Sequence, residues 1–203
     1  PGAVLTRVAR SHVRVGTFEY LRARDDIEGL RLLADFVIDR HASHLTGAEH
    51  PYLGLLDDVV HKQATLIAQW MSVGFIHGVM NTDNMTLSGE SIDFGPCAFM
   101  DSYDPNTVLS SIDRHGRYAY KQQPFIGLWN LQRLAECLLP LIDTDSEVAV
   151  ARATASLARY EEIYHSASRE LFARKLGFAS ALAGDEVLID SWLGLLHRHQ
   201  LDF

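Results

Sequence analysis

His77-Gly78-Val79-Met80-Asn81-Thr82-Asp83-Asn84-Met85-Thr86-Leu87-Ser88-Gly89-Glu90-Ser91-Ile92-Asp93-Phe94-Gly95 is the stretch that decides how this chain is read. Two short strand-like segments flank Ser88-Gly89, a pair suited to a two-residue hairpin loop. With that loop, Leu87 faces Glu90, Thr86 faces Ser91, Met85 faces Ile92 and Asn84 faces Asp93. Directly opposed residues of an antiparallel pair hold their Cβ atoms about 4.5 to 5.5 Å apart. An amide oxygen and a carboxylate oxygen at that separation can share one Mg²⁺ or Mn²⁺, a hard cation that takes few protein ligands beside water and phosphate. Asn84 and Asp93 are then candidate metal ligands. Both residue types are also common in turns, and capping the two ends of the hairpin is the competing reading.

Order along the chain adds a second signal. Protein kinases carry a His-Arg-Asp-x-x-x-x-Asn loop followed by Asp-Phe-Gly, in which the Asn and the second Asp hold magnesium. Here His77 is followed by Asn84 and then by Asp93-Phe94-Gly95. At the position of the kinase loop aspartate stands Val79, which neither accepts a proton nor binds metal. Ordinary protein kinase chemistry is therefore not expected. Asp83, next to Asn84, is the nearest carboxylate able to orient or deprotonate a nucleophile.

Outward from this segment the periodicity is helical. Ile27, Leu30, Ala34, Val37, Ile38 and His41 recur at three- and four-residue steps after Asp25, predicting a helix that ends near Thr46-Gly47. A second helix follows Pro51, turns Leu55, Val59, Leu66 and Trp70 inward, and stops before Gly74. Three more are predicted over 124–141, 145–176 and 185–199. Val4-Leu5-Thr6-Arg7-Val8 and His12-Val13-Arg14-Val15 are β-branched and suit short strands or an extended lead-in. The expected fold is mainly α with a short β-hairpin, a protein-kinase-like C-lobe in one domain over 1–203. Residues 1–16 form its extended lead-in, 75–105 its catalytic and metal-binding loops, and 124–203 its helical subdomain.

Composition limits the function classes. With 203 residues, 47% hydrophobic and 22% charged, the chain has the make-up of a soluble globular protein large enough to fold without disulfides. A net charge of −8 gives no positive field to concentrate nucleic acid or an anionic membrane, so neither is an expected partner. No apolar run approaches the roughly 20 residues that span a bilayer, and no signal-peptide pattern opens the chain. Cys97 and Cys137 match no zinc motif and read as free thiols in a reducing, cytoplasmic compartment. Pro1-Gly2-Ala3, without an initiator methionine, reads as a cut from a longer polypeptide.

The combination of His-Gly-Val-Met-Asn-Thr-Asp-Asn-Met, Ile-Asp-Phe-Gly-Pro and Phe99-Met100-Asp101-Ser102-Tyr103-Asp104-Pro105 resembles the selenoprotein O family, called YdiU in bacteria. Gln123-Pro124, Trp129-Asn130-Leu131-Gln132-Arg133-Leu134 and residues 2–16 resemble the same family. The resemblance implies a kinase-fold enzyme that transfers AMP from ATP to Ser, Thr or Tyr hydroxyls of proteins, with ATP bound in reverse. It implies that Asp83 accepts the proton, that Asn84 and Asp93 bind magnesium, and that Arg7 and Arg14 contact the phosphates. Paired guanidinium groups suit a terminal phosphate, since each donates charge-assisted hydrogen bonds in a fixed plane.

No Gly-rich phosphate loop precedes the catalytic segment, and the only lysines, Lys62, Lys121 and Lys175, stand in no strand-like context. The N-terminal nucleotide lobe is thus expected to be missing, and the chain alone inactive or nearly so, while its helices fold by themselves. A kinase-fold phosphotransferase and a catalytically dead nucleotide-binding module remain alternatives. His41, His44, His197 and His199 lack a third ligand or a shared helix face and are not expected to bind metal. Trp129 and Trp192 are expected in the core.

Overall fold

A computed structural model describes residues 2–203. It is mainly helical, with six α-helices and one two-stranded antiparallel sheet among the described residues. Helix α1 covers Val15–Arg22, α2 Ile27–His41, α3 Pro51–Ser72, α4 Gln123–Ile142, α5 Ser146–Lys175 and α6 Asp185–His199. Strand β1, Phe75–Ile76, pairs with β2, Ala98–Phe99.

The frame is built by α3, α4 and α5, which pack on one another. Helix α3 starts with Pro51 in its first turn, where a missing N–H costs nothing. It buries Leu55, Leu56, Val59, Val60, Ala64 and Ile67 on one stripe. Helix α4 turns Leu131, Leu134 and Leu138 inward, all fully excluded from solvent. In α5 small residues allow close approach: Ala149, Ala153 and Ser156 lie on the buried face with Tyr160, whose hydroxyl donates to the Pro124 carbonyl at 3.0 Å. Asp145 caps α5, its carboxylate accepting from the N–H groups of Glu147 and Val148. Asp26 caps α2 in the same manner, accepting from Gly29 N at 2.8 Å.

Helix α2 ends at His41, short of the expected Thr46-Gly47, because Ala42 leaves the helical conformation and a separate 3-10 turn, Ser43–Leu45, follows. The structure departs from the sequence expectations in four further places. Helix α1 is the first. Val15, Gly16 and Thr17 are poor helix formers, and tertiary burial overrides them, since Val15 and Phe18 are fully buried and α1 packs against α4. Second, residues 2–13 form no strand. Only Arg14 makes a bridge, to Thr86; residues 2–8 are exposed and have no neighbouring strand to pair with. Third, the middle segment is less β-rich than expected: the named sheet is β1 with β2, and the anticipated hairpin is a single bridge, Met85 to Ser91. Fourth, Trp129 is 37% exposed, its ring covered by the guanidinium groups of Arg117 at 4.6 Å and Arg133 at 5.3 Å. Trp192 is half-buried against Phe172 and Phe203.

Candidate active site

The segment that follows α3 is held in place by side-chain amides projecting from the helical frame. Gln123, buried at the first turn of α4, accepts from His77 N at 2.9 Å through Oε1 and donates to the Phe75 carbonyl at 2.9 Å through Nε2. Asn130, about two turns further along the same face of α4, donates to the Met80 carbonyl at 3.0 Å. Gln63 of α3 donates to the Thr86 carbonyl at 2.6 Å. Irregular backbone buried against helices has no ladder to satisfy it, and these three amides supply the missing partners. Their polar positions on otherwise apolar helix faces were the available signal in the sequence, and the sequence reading did not use it.

The lead-in pairs along the other side of the same segment. Val15 N donates to the Met85 carbonyl and Leu87 N to the Val13 carbonyl, both at 3.0 Å. Gly16 then lies against the next turn of the segment, where an added Cβ would meet Asp83 N at 3.2 Å and Asp83 Cα at 3.3 Å. A side chain there would push α1 off the 3-10 turn Thr82–Asn84, which carries the two candidate residues Asp83 and Asn84.

The expected register is corrected by one residue. Met85 pairs with Ser91, so the connection holds five residues instead of the two-residue Ser88-Gly89 loop. Gly89 takes φ +75°, a left-handed conformation that costs glycine little, and Thr86 Oγ1 accepts from Glu90 N at 3.0 Å while donating to the Glu90 carbonyl at 2.8 Å. Continued one step, this register sets Asn84 against Ile92, and Asn84 already belongs to the 3-10 turn. Asn84 and Asp93 are therefore not a directly opposed pair. What they share is His77. Asn84 and His77 line one small cavity of about 10 Å³, and the Asp93 carboxylate acts electrostatically on the His77 ring.

His77 is 1% exposed, its ring tilted by 37° against that of Trp70 at 5.4 Å. Burial pushes its pKa below the ordinary histidine value, opposed by the nearby Asp93 charge, so the ring is held neutral. Its Nδ1 accepts from Val79 N at 3.4 Å, which bends the chain back at Gly78.

Of the remaining candidates, Asp83 is exposed and Asn84 and Asp93 are half-buried. Asn84 Nδ2 donates to the Val79 carbonyl at 2.9 Å, and no protein donor among the described residues reaches its Oδ1. Asp93 Oδ1 accepts from Gly95 N at 3.0 Å, which likewise leaves Oδ2 without a donor. Asp83 is exposed, and its carboxylate makes no hydrogen bond among the described residues. Arg14 Nη1 donates to the Asp83 carbonyl at 3.3 Å. The Arg7 guanidinium lies 4.4 Å from the centroid of the Phe94 ring. Both arginines of the lead-in are thus carried to the segment 83–94, one at each end.

The donor chemistry fits a hard divalent cation: two free oxygens, one of them anionic, beside two cations able to take phosphate. Among the described residues no group of three or more His, Cys, Asp or Glu is gathered as a closed metal cage. A site of this kind leaves most coordination positions to water and phosphate, as magnesium sites at nucleotides do. Glu90, which the sequence reading passed over, accepts from Arg10 N at 2.9 Å and from Ser88 Oγ at 3.0 Å, and so fastens the lead-in to the turn.

Known proteins match this chain along its whole length. A family model described as protein adenylyltransferase SelO matches residues 1–203. A protein nucleotidyltransferase YdiU of Rhizobium johnstonii is 58% identical over 203 residues, covering 100% of this chain and 41% of the relative. Similar proteins of the same name occur in Rhizobium etli, at 56% identity, and Methylorubrum populi, at 55%, each again with 100% of this chain and 41% of the relative covered. The chain spans less than half the length of these relatives. With a family match running from its first residue to its last, it belongs to the SelO/YdiU family.

Proposed function

We propose that the full-length protein carrying this chain is a magnesium- or manganese-dependent protein nucleotidyltransferase that moves AMP from ATP to the hydroxyl of a Ser, Thr or Tyr side chain. The chain supplies its kinase-like C-lobe, and the nucleotide lobe lies in the remainder of the polypeptide. Support comes from the family match, from the names of the relatives, and from one geometric fact above others. Asp83, exposed and with its carboxylate unbonded among the described residues, is next to Asn84, which is oriented by its bond to Val79, and has its backbone carbonyl bonded by Arg14.

In this reading Asp83 takes the proton of the attacking hydroxyl as its oxygen bonds to the α-phosphorus of ATP. The bond from that phosphorus to the bridging oxygen breaks, and pyrophosphate leaves. Arg7 and Arg14 hold the terminal phosphates by charge-assisted hydrogen bonds, which fixes the α-phosphate toward the hydroxyl. A divalent cation, held by Asn84 Oδ1 and Asp93 Oδ2, would neutralise phosphate charge. The neutral His77 beneath them keeps a competing positive charge away from the cation.

The test uses the full-length protein with ATP labelled at the α- or the γ-phosphate. Transfer of the α-label to protein, abolished by Asp83→Ala, is expected. Transfer of the γ-label alone would refute the proposal and identify a phosphotransferase instead.

A further inference from the structure

Beside the candidate site runs an open groove of about 630 Å³ whose walls include Val79, Asn81, Ile112, Arg114, Arg117 and Tyr118. It shares two residues with the catalytic segment: Val79, whose carbonyl holds Asn84, and Asn81, whose Oδ1 accepts from the Tyr118 hydroxyl. A molecule seated in the groove therefore touches the same short loop that presents Asp83.

Three features give the groove a chemical preference. The first is charge. In a chain of net charge −8, residues 106–122 carry Arg114, Arg117 and Lys121 against a single carboxylate, Asp113. That carboxylate is spent internally, its oxygens accepting from Arg117 N at 2.9 Å and Tyr118 N at 2.8 Å; desolvation raises its pKa, and the backbone bonds together outweigh that and draw it down.

The second is pre-organisation. Asp113 closes the turn, Gly116 takes φ +68° within it, and Arg117 lies flat on Trp129 at 4.6 Å. A guanidinium already stacked on an aromatic ring loses little freedom when it binds a carboxylate. The third is availability. Among the described residues no carboxylate lies within 4.0 Å of Arg114 or Arg117, a state they share with Arg7, Arg14, Arg24, Arg40 and Arg198, whereas all five arginines from 133 to 174 are paired with Asp or Glu. Ile112, 78% exposed at the rim, adds an apolar foothold.

We infer that this groove docks the protein substrate, and that it selects segments in which Asp or Glu flanks the target hydroxyl. The inference rests on the proposed transfer to protein hydroxyls, and it adds a sequence preference to that reaction. Arg114 and Arg117 act here as specificity determinants. Complementary charge of this kind steers encounter and rejects like-charged partners.

The experiment measures binding separately from chemistry. Two fluorescent peptides with one central tyrosine, flanked by glutamates in one and by lysines in the other, are titrated with the full-length protein, and the Kd values are read by anisotropy. The wild type should bind the glutamate peptide roughly tenfold more tightly, a difference that shrinks as salt is raised. In the double variant Arg114→Glu/Arg117→Glu the preference should invert. The milder pair Arg114→Gln/Arg117→Gln should lose the preference without inverting it while still binding both peptides, and that retained binding excludes misfolding as the cause. Equal Kd ratios in wild type and both variants, or a wild-type preference for lysine, would overturn the inference. Transfer of the α-label to the peptides is assayed in parallel. Absent transfer with an intact charge preference would count against the proposed function alone, and transfer with no charge preference against the groove alone.

Discussion

Where α3, α4 and α5 face one another, the contacts are made by Leu56, Ile67, Leu131, Leu134 and Leu138, none of them exposed. Where the same helices face residues 75–87, the contacts that fix the chain are hydrogen bonds from Gln63, Gln123 and Asn130. Burial is non-directional and tolerates small shifts, whereas a buried amide satisfies one particular backbone atom in one position. The helical frame accordingly carries the stability, and the amides carry the placement of Asp83 and Asn84. A change in the first region should lower the melting temperature. One in the second should displace the site at a smaller cost in stability.

The sharpest way to break this contrast starts in the frame. Leu138→Ala deletes a fully buried side chain and should cost about 2 to 5 kcal/mol, read by urea or thermal denaturation. Gln123→Ala should cost less, about 1 to 3 kcal/mol in all, since the irregular segment it holds can shift to let water reach the His77 N–H and the Phe75 carbonyl that lose their partner. Its signature is local: hydrogen exchange at the His77 amide should accelerate at least roughly tenfold while that of the α3 and α5 amides follows global stability.

The smallest effect is in pH dependence. Burial lowers the folded pKa of His77 below its unfolded value of 6.5, so the unfolded chain takes up the proton first as pH falls. Stability should therefore decline below about pH 6.5, and level off only once the folded ring protonates. His77→Gln should flatten that slope. An unchanged slope would mean that the ring is not held neutral by the frame.

The frame was legible in the sequence because helices repeat. The spacing of Leu55, Val59 and Leu66 and the alanine ladder of α5 gave elements within two residues of those observed, from Pro51 at one end to His199 at the other. Helix α1 was hidden because its stability comes from Val15 and Phe18 meeting α4, a contact that no local pattern encodes. At the site, residue order picked out Asp83, Asn84 and Asp93, while Arg7 and Arg14 came only from the family resemblance; the structure sets Arg14 against Asp83 and Arg7 against Phe94. The pairing inferred from Ser88-Gly89 was off by one residue, because Gly89 in a left-handed conformation and the Thr86 hydroxyl close a longer turn than the dipeptide alone suggests. A period-2 structure makes such a slip consequential, since it turns every side chain to the other face.

The account stands or falls on a divalent cation reaching Asn84 and Asp93 together. Mn²⁺ binding to the full-length protein with a non-hydrolysable ATP analogue, followed by water-proton relaxation, reads this directly. Asp93→Ala and Asn84→Ala are each expected to weaken Mn²⁺ in the ternary complex at least roughly tenfold, and the double variant should weaken it little further than the stronger single one, as ligands of one ion do. Wild-type affinity for Mn²⁺ in both single variants would contradict the account.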